Sequence, residues 1–181
     1  MQNLNYGVIG NCSTAALISE KGAIEWLCFP EFDSPSVFAA ILDRQKGGHF
    51  GFKVTSDYKV TQSYVPHTNI LSTHFESEEG AFDVVDFMPC YPTSDGKDFY
   101  RPAEIYRYIR WAKGRPRMKV DYRPAPNYAR GKTIYNVTSQ YVETYSSVEN
   151  KDRQYLYSSL DLKKVVNHDE ITLEKDEFFL F

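Results

Sequence analysis

Short segments in which apolar and polar residues alternate recur along most of the chain, and β-branched and aromatic residues are frequent in them. Alternation with a period of two is typical of strands that bury one face. Turn signals such as Glu78–Gly80, Ser94–Gly96 and Lys113–Gly114 lie between these segments. Many short strands separated by turns predict an all-β fold, an antiparallel β-sandwich. The predicted strands are residues 13–19, 23–29, 51–54, 58–64, 69–77, 81–88, 103–112, 117–122, 132–137, 140–144, 154–158, 170–173 and 178–181.

One segment is expected to be helical. Ser34 precedes Pro35, which suits an N-cap followed by proline at the first helical position. The apolar residues that follow recur with the helical period, and they are Val37, Phe38, Ile41 and Leu42. The sequence therefore predicts one short helix near residues 35–43, lying over the sandwich.

The composition fits a folded domain of 181 residues in which 15% of residues are aromatic. No apolar run approaches the roughly 20 residues that cross a bilayer. The first twenty residues contain no Lys or Arg, so they do not resemble a signal peptide, and we expect a cytoplasmic protein. Cys12, Cys28 and Cys90 are an odd number of cysteines, which does not suggest a disulfide framework.

The last residues, 178–181, are four consecutive large apolar side chains. If these side chains stayed exposed at a frayed end, each would lose about 1.5–3 kcal/mol of stabilisation from burial. We therefore expect one domain over residues 1–181 that is truncated at its C-terminal edge.

Catalytic carboxylates are the first candidates for chemistry, and Asp83 and Asp86 are the closest pair in a predicted strand. Residues three apart in a strand point to opposite faces, so this pair cannot flank one sugar. Asp86 is expected near the strand end, bonded to backbone donors near Pro89. The same alternation separates His67 from His74, and we predict no catalytic residue, no metal site and no cofactor.

A basic stretch from Arg101 to Lys132 holds ten Lys or Arg against two acidic residues. Basic and aromatic residues alternate at Arg107, Tyr108, Arg110 and Trp111, as they would on a nucleic-acid-binding face. The overall isoelectric point of about 5.8 disfavours that interpretation. A solvated sheet face, or a contact surface for an acidic neighbouring domain, is the favoured alternative.

Several stretches carry a family resemblance: Tyr6–Ile18, Gly22–Asp43, Tyr64–Phe75, Asp86–Pro89, Arg107–Arg110 and Arg123–Tyr128. The most specific of them reads Trp26-Leu-Cys-Phe-Pro-Glu-Phe-Asp-Ser-Pro-Ser-Val-Phe38. Together they resemble the N-terminal β-sandwich domain of bacterial and archaeal family-15 glycoside hydrolases, the glucoamylase-like and trehalase-like enzymes. One departure is Glu31, because many relatives carry Arg at this position.

The resemblance implies a supersandwich that supports a larger (α/α)6 catalytic domain. That domain would supply both catalytic glutamates for inverting hydrolysis of α-glucosidic bonds, and it is absent from this chain. The expected partners are the missing catalytic domain, an α-glucan or trehalose through the parent protein, and a second copy through exposed sheet edges. No membrane partner is expected.

The loop at Phe32, Asp33 and Ser34, with Trp26 beneath it, is the candidate site. We expect it to face the catalytic domain or the substrate. For Asp33 itself, a turn-forming or helix-start charge is the favoured interpretation, and a polar group facing a ligand or partner is the alternative. The alternative is an autonomous carbohydrate-binding module that uses Trp26, Trp111 and the tyrosines as an exposed platform. Those rings could also be ordinary sandwich core.

Overall fold

The computed structural model describes residues 4–54, 57–148 and 152–181. Its paired strands run antiparallel. The prediction of an all-β, antiparallel fold is confirmed. The elements are β1 (Tyr6–Gly10), β2 (Ala15–Ser19), β3 (Ile24–Cys28), β4 (Ser36–Phe38), β5 (His49–Lys53), β6 (Lys59–Tyr64), β7 (Leu71–Glu76), β8 (Gly80–Phe87), β9 (Tyr91–Pro92), β10 (Phe99–Tyr100), β11 (Tyr106–Gly114), β12 (Arg117–Arg123), β13 (Thr133–Val137), β14 (Val142–Ser146), β15 (Gln154–Leu156), α1 (Leu162–Asn167), β16 (Glu170–Thr172) and β17 (Phe178–Leu180).

Two main sheets enclose the hydrophobic core. The first has seven strands in the order β1-β2-β3-β5-β12-β16, with β4 paired to β3, and the second has five in the order β17-β11-β8-β7-β6. Ile18 and Val120 from the first sheet join Phe75 and Val84 from the second in one buried cluster. Because alternate residues of a strand face opposite sides, each sheet contributes every second side chain to this core.

Two smaller sheets complete the fold. Strands β9 and β10 form a hairpin, and β13, β14 and β15 form a three-stranded sheet. The inner face of the three-stranded sheet reaches the core, since Val142 and Leu156 are buried there. Its contact with the first main sheet includes a hydrogen bond of 3.3 Å between the hydroxyls of Tyr122 and Thr144.

The helix that the sequence predicts near residues 35–43 is absent, and that prediction is wrong. Ser36–Phe38 instead forms β4, in which Phe38 lies opposite Leu27 on β3. The carbonyl of Val37 accepts from the N–H of Ala125, 2.9 Å away. All three residues of β4 are buried, and a surface helix would have left some of them exposed.

The helix lies instead at Leu162–Asn167. Asp161 is its N-cap and accepts from the N–H of Lys163 at 2.9 Å, and His168 closes it in the left-handed conformation. Leu162 and Val165 are its buried residues. Within the described ranges, the structure holds no helix with the length and apolar character that crossing a bilayer requires.

The apolar run 178–181 is ordered along the edge of the second main sheet. Strand β17 pairs with β11, and Phe181 is buried. The ring of Phe181 lies 5.7 Å from that of Phe50 and 6.4 Å from that of Phe52, measured between centroids. Phe181 therefore packs against the opposite sheet, whereas Phe178 and Leu180 are exposed. The expected truncation of the domain stays a prediction.

Candidate functional site

The candidate loop is a compact turn between β3 and β4. The hydroxyl of Ser34 accepts from the N–H of Glu31 at 3.1 Å, and the N–H of Ser34 donates back to the carbonyl of Glu31 at 3.1 Å. Phe32 is 62% exposed at the tip, beside the exposed Asp33. We call residues 29–35 the Phe32 loop. The structure places Phe32, Asp33 and Ser34 together, and Asp33 stands at no helix start.

The turn between β1 and β2 anchors the Phe32 loop. The N–H of Phe32 donates to the carbonyl of Ser13 at 3.0 Å, and the hydroxyl of Thr14 donates to the carbonyl of Cys28 at 2.6 Å. Asn11 holds this turn through its side-chain oxygen, which accepts from the N–H groups of Ser13 and Thr14 at 3.0 and 3.1 Å. Because Asn11 and Thr14 are buried and fully engaged, the loop has a fixed base.

Trp26 lies on the outer face of β3, opposite Leu17 on β2. Its ring packs at a tilt against the ring of Tyr128, with centroids 6.4 Å apart. The hydroxyl of Tyr128 lies 3.8 Å from the sulfur of Cys28, and the N–H of Tyr128 donates to the hydroxyl of Ser36 at 3.0 Å. Trp26 is therefore paired with the turn at the end of the Arg123–Tyr128 stretch, a contact that the sequence did not predict.

That turn has an unusual backbone. Asn127, Tyr128 and Ala129 have φ values of 55°, 55° and 56°, so three consecutive residues occupy the left-handed region. This conformation costs roughly 1–2 kcal/mol for each residue that has a side chain. Strain of this kind is concentrated at functional sites. The signal in the sequence was Pro124-Ala-Pro126-Asn127, which marks a turn without showing its handedness.

A large groove opens between the two main sheets, beside the base of the Phe32 loop. Its volume is about 870 Å³. Apolar side chains dominate the lining. The lining includes Phe29 and Pro30 from the loop, Phe38 from β4, Tyr157 after β15, and Phe181. The sequence did not predict this groove.

The carboxylates confirm the prediction of opposite faces. Asp83 lies on the outer face of β8 and contacts His74 at 2.7 Å and Arg110 at 3.0 Å. Asp86 points inward, where Arg107 donates from Nε to Oδ1 at 2.7 Å and from Nη2 to Oδ2 at 3.1 Å. The partner of Asp86 is therefore Arg107. The prediction that Asp86 bonds to backbone donors near Pro89 is wrong. Burial raises the pKa of Asp86, and Arg107 opposes that rise.

A second cleft, of about 450 Å³, surrounds Asp121. This buried carboxylate contacts Arg123 at 2.6 Å, His49 at 2.8 Å and Lys53 at 3.0 Å. Burial raises the pKa of Asp121, but hydrogen bonds from Arg123, His49 and Lys53 outweigh that effect and hold the pKa well below its usual range. Within the described ranges, no group of His, Cys, Asp and Glu side chains is arranged to hold a metal ion.

Most basic residues of the stretch from Arg101 to Lys132 are neutralised by acidic partners. The ion pairs are Arg101–Asp98, Arg107–Asp86, Arg110–Asp83, Lys113–Glu76, Arg115–Glu174, Arg117–Glu79 and Arg123–Asp121. Nucleic-acid binding depends on cations that can pair with phosphates. The paired charges favour the interpretation of a solvated sheet face.

Comparisons with known proteins agree on one family. The family described as "Trehalase-like, N-terminal" matches residues 5–150. Trehalase from Thermoplasma acidophilum is 33% identical over 84% of the chain and 26% of its own length. Trehalase from Mycolicibacterium smegmatis is 33% identical over 70% of the chain and 20% of its own length.

Trehalase 1 from Sulfolobus acidocaldarius is 51% identical over 46% of the chain and 14% of its own length. The matched region thus spans between 14% and 26% of these three relatives. No solved structure gives a significant match. The family match covers most of the residues and agrees with the all-β fold, and the chain therefore belongs to the trehalase-like N-terminal domain family.

Proposed function

We propose that this chain is the noncatalytic N-terminal part of a cytoplasmic glycoside hydrolase of trehalase or glucoamylase type. The parent protein would hydrolyse α-glucosidic bonds with inversion in a separate (α/α)6 domain. The observation that carries the proposal is the family match together with the length of the relatives. The match covers about a fifth of the length of relatives that are named trehalases.

The carboxylate geometry supports a noncatalytic role. Inverting hydrolysis uses two carboxyl groups about 6.5–9.5 Å apart on either side of the sugar. Asp83 and Asp86 are engaged by cations on opposite faces of β8. Neither carboxyl is placed to protonate a leaving group while the other activates water.

The groove and the Phe32 loop are the proposed docking surface for the catalytic domain. The lining of the groove is mainly apolar, and Tyr155, Tyr157 and Leu180 along it are exposed to solvent. Large exposed apolar patches are usually covered by another surface. The Phe32 loop adjoins it, with an exposed ring at Phe32 on a fixed base. Trp26, Phe32, Asp33 and Ser34 would then face the neighbouring domain or the mouth of its active site.

A chimeric enzyme tests this role. The matched region of the Thermoplasma acidophilum trehalase is replaced by this chain, and trehalose hydrolysis is compared with that of the same enzyme lacking the region. We expect the chimera to hydrolyse trehalose faster than the shortened enzyme. This chain alone should release no glucose. A chimera no more active than the shortened enzyme, although folded, would contradict the proposal.

Loop variants of the chimera test the docking surface. Phe32→Ala and Asp33→Ala should each lower turnover about tenfold, a change of about 1.4 kcal/mol in the activation free energy. Neither should change the melting temperature of this chain, because both side chains are exposed. Val148→Ala removes an equally exposed apolar side chain after β14 and is the matched control, for which we expect unchanged turnover. Unchanged turnover in both loop variants would exclude the loop from the interface.

A further inference from the structure

The outer face of the three-stranded sheet carries a cluster of tyrosines that extends beyond the edge of the groove. Tyr145 and Tyr155 lie on β14 and β15, and Tyr141 and Tyr157 flank the same strands. The pairing register places Glu143 opposite both Asn136 and Tyr155, so these side chains share one face. We call this face the tyrosine surface, consisting of Asn136, Tyr141, Glu143, Tyr145, Arg153, Tyr155 and Tyr157.

Three of its rings form a corner that is open to solvent. The ring centroids of Tyr141 and Tyr155 are 5.4 Å apart and their planes meet at 83°. The centroids of Tyr141 and Tyr157 are 5.7 Å apart, with planes at 61°. Tyr155 is 47% exposed and Tyr157 is 59% exposed. These rings therefore offer flat apolar faces, set at steep angles, to a ligand.

Fixed polar groups lie beside the rings. Glu143 accepts from Arg153 at 2.6 Å, from the hydroxyl of Tyr155 at 3.1 Å and from the side-chain amide of Asn136 at 3.3 Å. The guanidinium of Arg153 in turn covers the ring of Tyr145, 4.7 Å from its centroid. Because these groups already hold one another, a ligand would not have to order them.

The charges point to a neutral ligand. The hydrogen bond from Arg153 lowers the pKa of Glu143, so the carboxylate is ionised near neutral pH and balances the guanidinium. A nucleic acid would need unpaired cations at the surface. A pyranose carries C–H groups on its faces and hydroxyls around its edge. Aromatic faces beside fixed polar groups suit that combination.

We propose that the tyrosine surface binds a glucopyranosyl unit, such as those carried by trehalose or by a maltooligosaccharide. The choice of glucose rests on the proposed function, and the ring and polar geometry do not depend on it. Arg153, Tyr155 and Tyr157 also line the groove, so the bound sugar would lie at the edge of the proposed docking surface and share these three residues with it.

NMR titration of the isotope-labelled chain tests this proposal. Trehalose, maltotriose and the acyclic polyol mannitol are added separately while the backbone amides of residues 141–146 and 154–157 are followed. We expect saturable shifts with a Kd on the order of 1 mM for one or both sugars, and none for mannitol. A response to trehalose or to maltotriose supports the proposal and distinguishes the two sources. No saturation by either sugar, or an equal response to mannitol, would overturn it.

Matched variants locate the site. Tyr157→Ala should weaken sugar binding about tenfold, which corresponds to about 1.4 kcal/mol. Tyr155→Phe keeps the ring, removes the hydroxyl that donates to Glu143, and should weaken binding less. Tyr100→Ala removes a comparably exposed tyrosine on the β9–β10 hairpin and should bind as the unmodified chain does. Equal binding by Tyr157→Ala, or an equal loss in Tyr100→Ala, contradicts the assignment.

The titration and the chimera assay test the sugar-binding proposal and the docking proposal independently. Sugar binding without any gain in activity of the chimera would leave an autonomous carbohydrate-binding module. An active chimera without sugar binding would leave the docking role alone.

Discussion

Arg107 is the buried residue that joins the two main sheets most directly. On its own sheet it holds Asp86 with two hydrogen bonds, and across the core it donates to the carbonyl oxygens of Phe50 and Gly22. Its guanidinium carbon also lies 4.8 Å from the ring centroid of Phe50 and 5.0 Å from that of Phe52. A cation with 1% exposure depends on such partners, because water cannot reach it.

Asp86→Ala should therefore lower the free energy of unfolding by about 3–5 kcal/mol, since it leaves the Arg107 cation buried without its counter-charge. Asp83→Ala is the matched control on the same strand. Its partner Arg110 is exposed and can turn to water, so we expect a loss of about 1 kcal/mol or less. Urea unfolding measures both variants. Equal losses of unfolding free energy in the two variants would show that burial of the Asp86–Arg107 pair does not determine how much it contributes to stability.

The pair Asp121 and Arg123 belongs to a cluster that should make stability depend on pH. The folded-state pKa of Asp121 lies below its value of about 3.9 in the unfolded chain. Its contribution is therefore complete above that pH and is lost as the pH falls towards the folded-state pKa. Asp121→Asn should be less stable than the unmodified chain at pH 7, by about 1–2 kcal/mol.

The difference between the two proteins should shrink as the pH falls from about 5 to 2, because protonation removes the charge that the variant already lacks. Urea unfolding across this range provides the measurement. A constant difference would mean that the carboxylate charge of Asp121 contributes nothing to stability.

At the residue scale, alternation along a strand was enough to separate Asp83 from Asp86. The sequence alone could not identify the partner of Asp86, because Arg107 is 21 residues away and faces it only through the register of β8 and β11. The pairing of Trp26 with Tyr128 depends in the same way on how the strand β3 and a distant turn meet.

At the element scale, each predicted strand has a counterpart in the structure, because each carries its own period-two pattern. The strands β1, β9 and β10 and the helix α1 were not predicted. The segment Ser36–Phe38 was predicted to be helical and is a strand, because serine before proline followed by apolar residues is also a helix-start signal. Its conformation is decided by partners from elsewhere in the chain, namely β3 on one side and the N–H of Ala125, which donates to the carbonyl of Val37, on the other.

The left-handed turn at residues 127–129 gives an element-scale prediction. Ala129 has φ of 56°, a conformation that glycine adopts without a side-chain penalty. Ala129→Gly should therefore raise the free energy of unfolding by about 0.5 kcal/mol, after part of the relieved strain is offset by the greater freedom of the unfolded chain.

Ala15→Gly, in the regular strand β2, is the matched control and should be destabilising by roughly 0.5–1 kcal/mol. Thermal unfolding of both variants gives the comparison. A destabilised Ala129→Gly variant would mean that the alanine methyl group contributes packing that exceeds the backbone strain.

At the scale of the whole molecule, the family and the sandwich followed from the sequence, because both depend on local pattern and on one specific motif. The groove did not, since its walls are Phe29, Phe38, Tyr157 and Phe181, which come from distant parts of the chain. The position of the Phe32 loop beside that groove is likewise a property of packing.

We expect the open groove to make the chain associate with itself. An apolar groove of about 870 Å³ that is open to solvent should attract a second copy at high concentration. Leu180→Lys places a charge on its lining, at a residue that is already partly exposed. We expect this variant to need about tenfold higher concentration to associate, a difference of about 1.4 kcal/mol. Val148→Lys adds the same charge outside the groove and should associate as the unmodified chain does. Sedimentation velocity over a range of concentrations measures the effect, and an unmodified chain that stays monomeric throughout would show that the groove does not drive association.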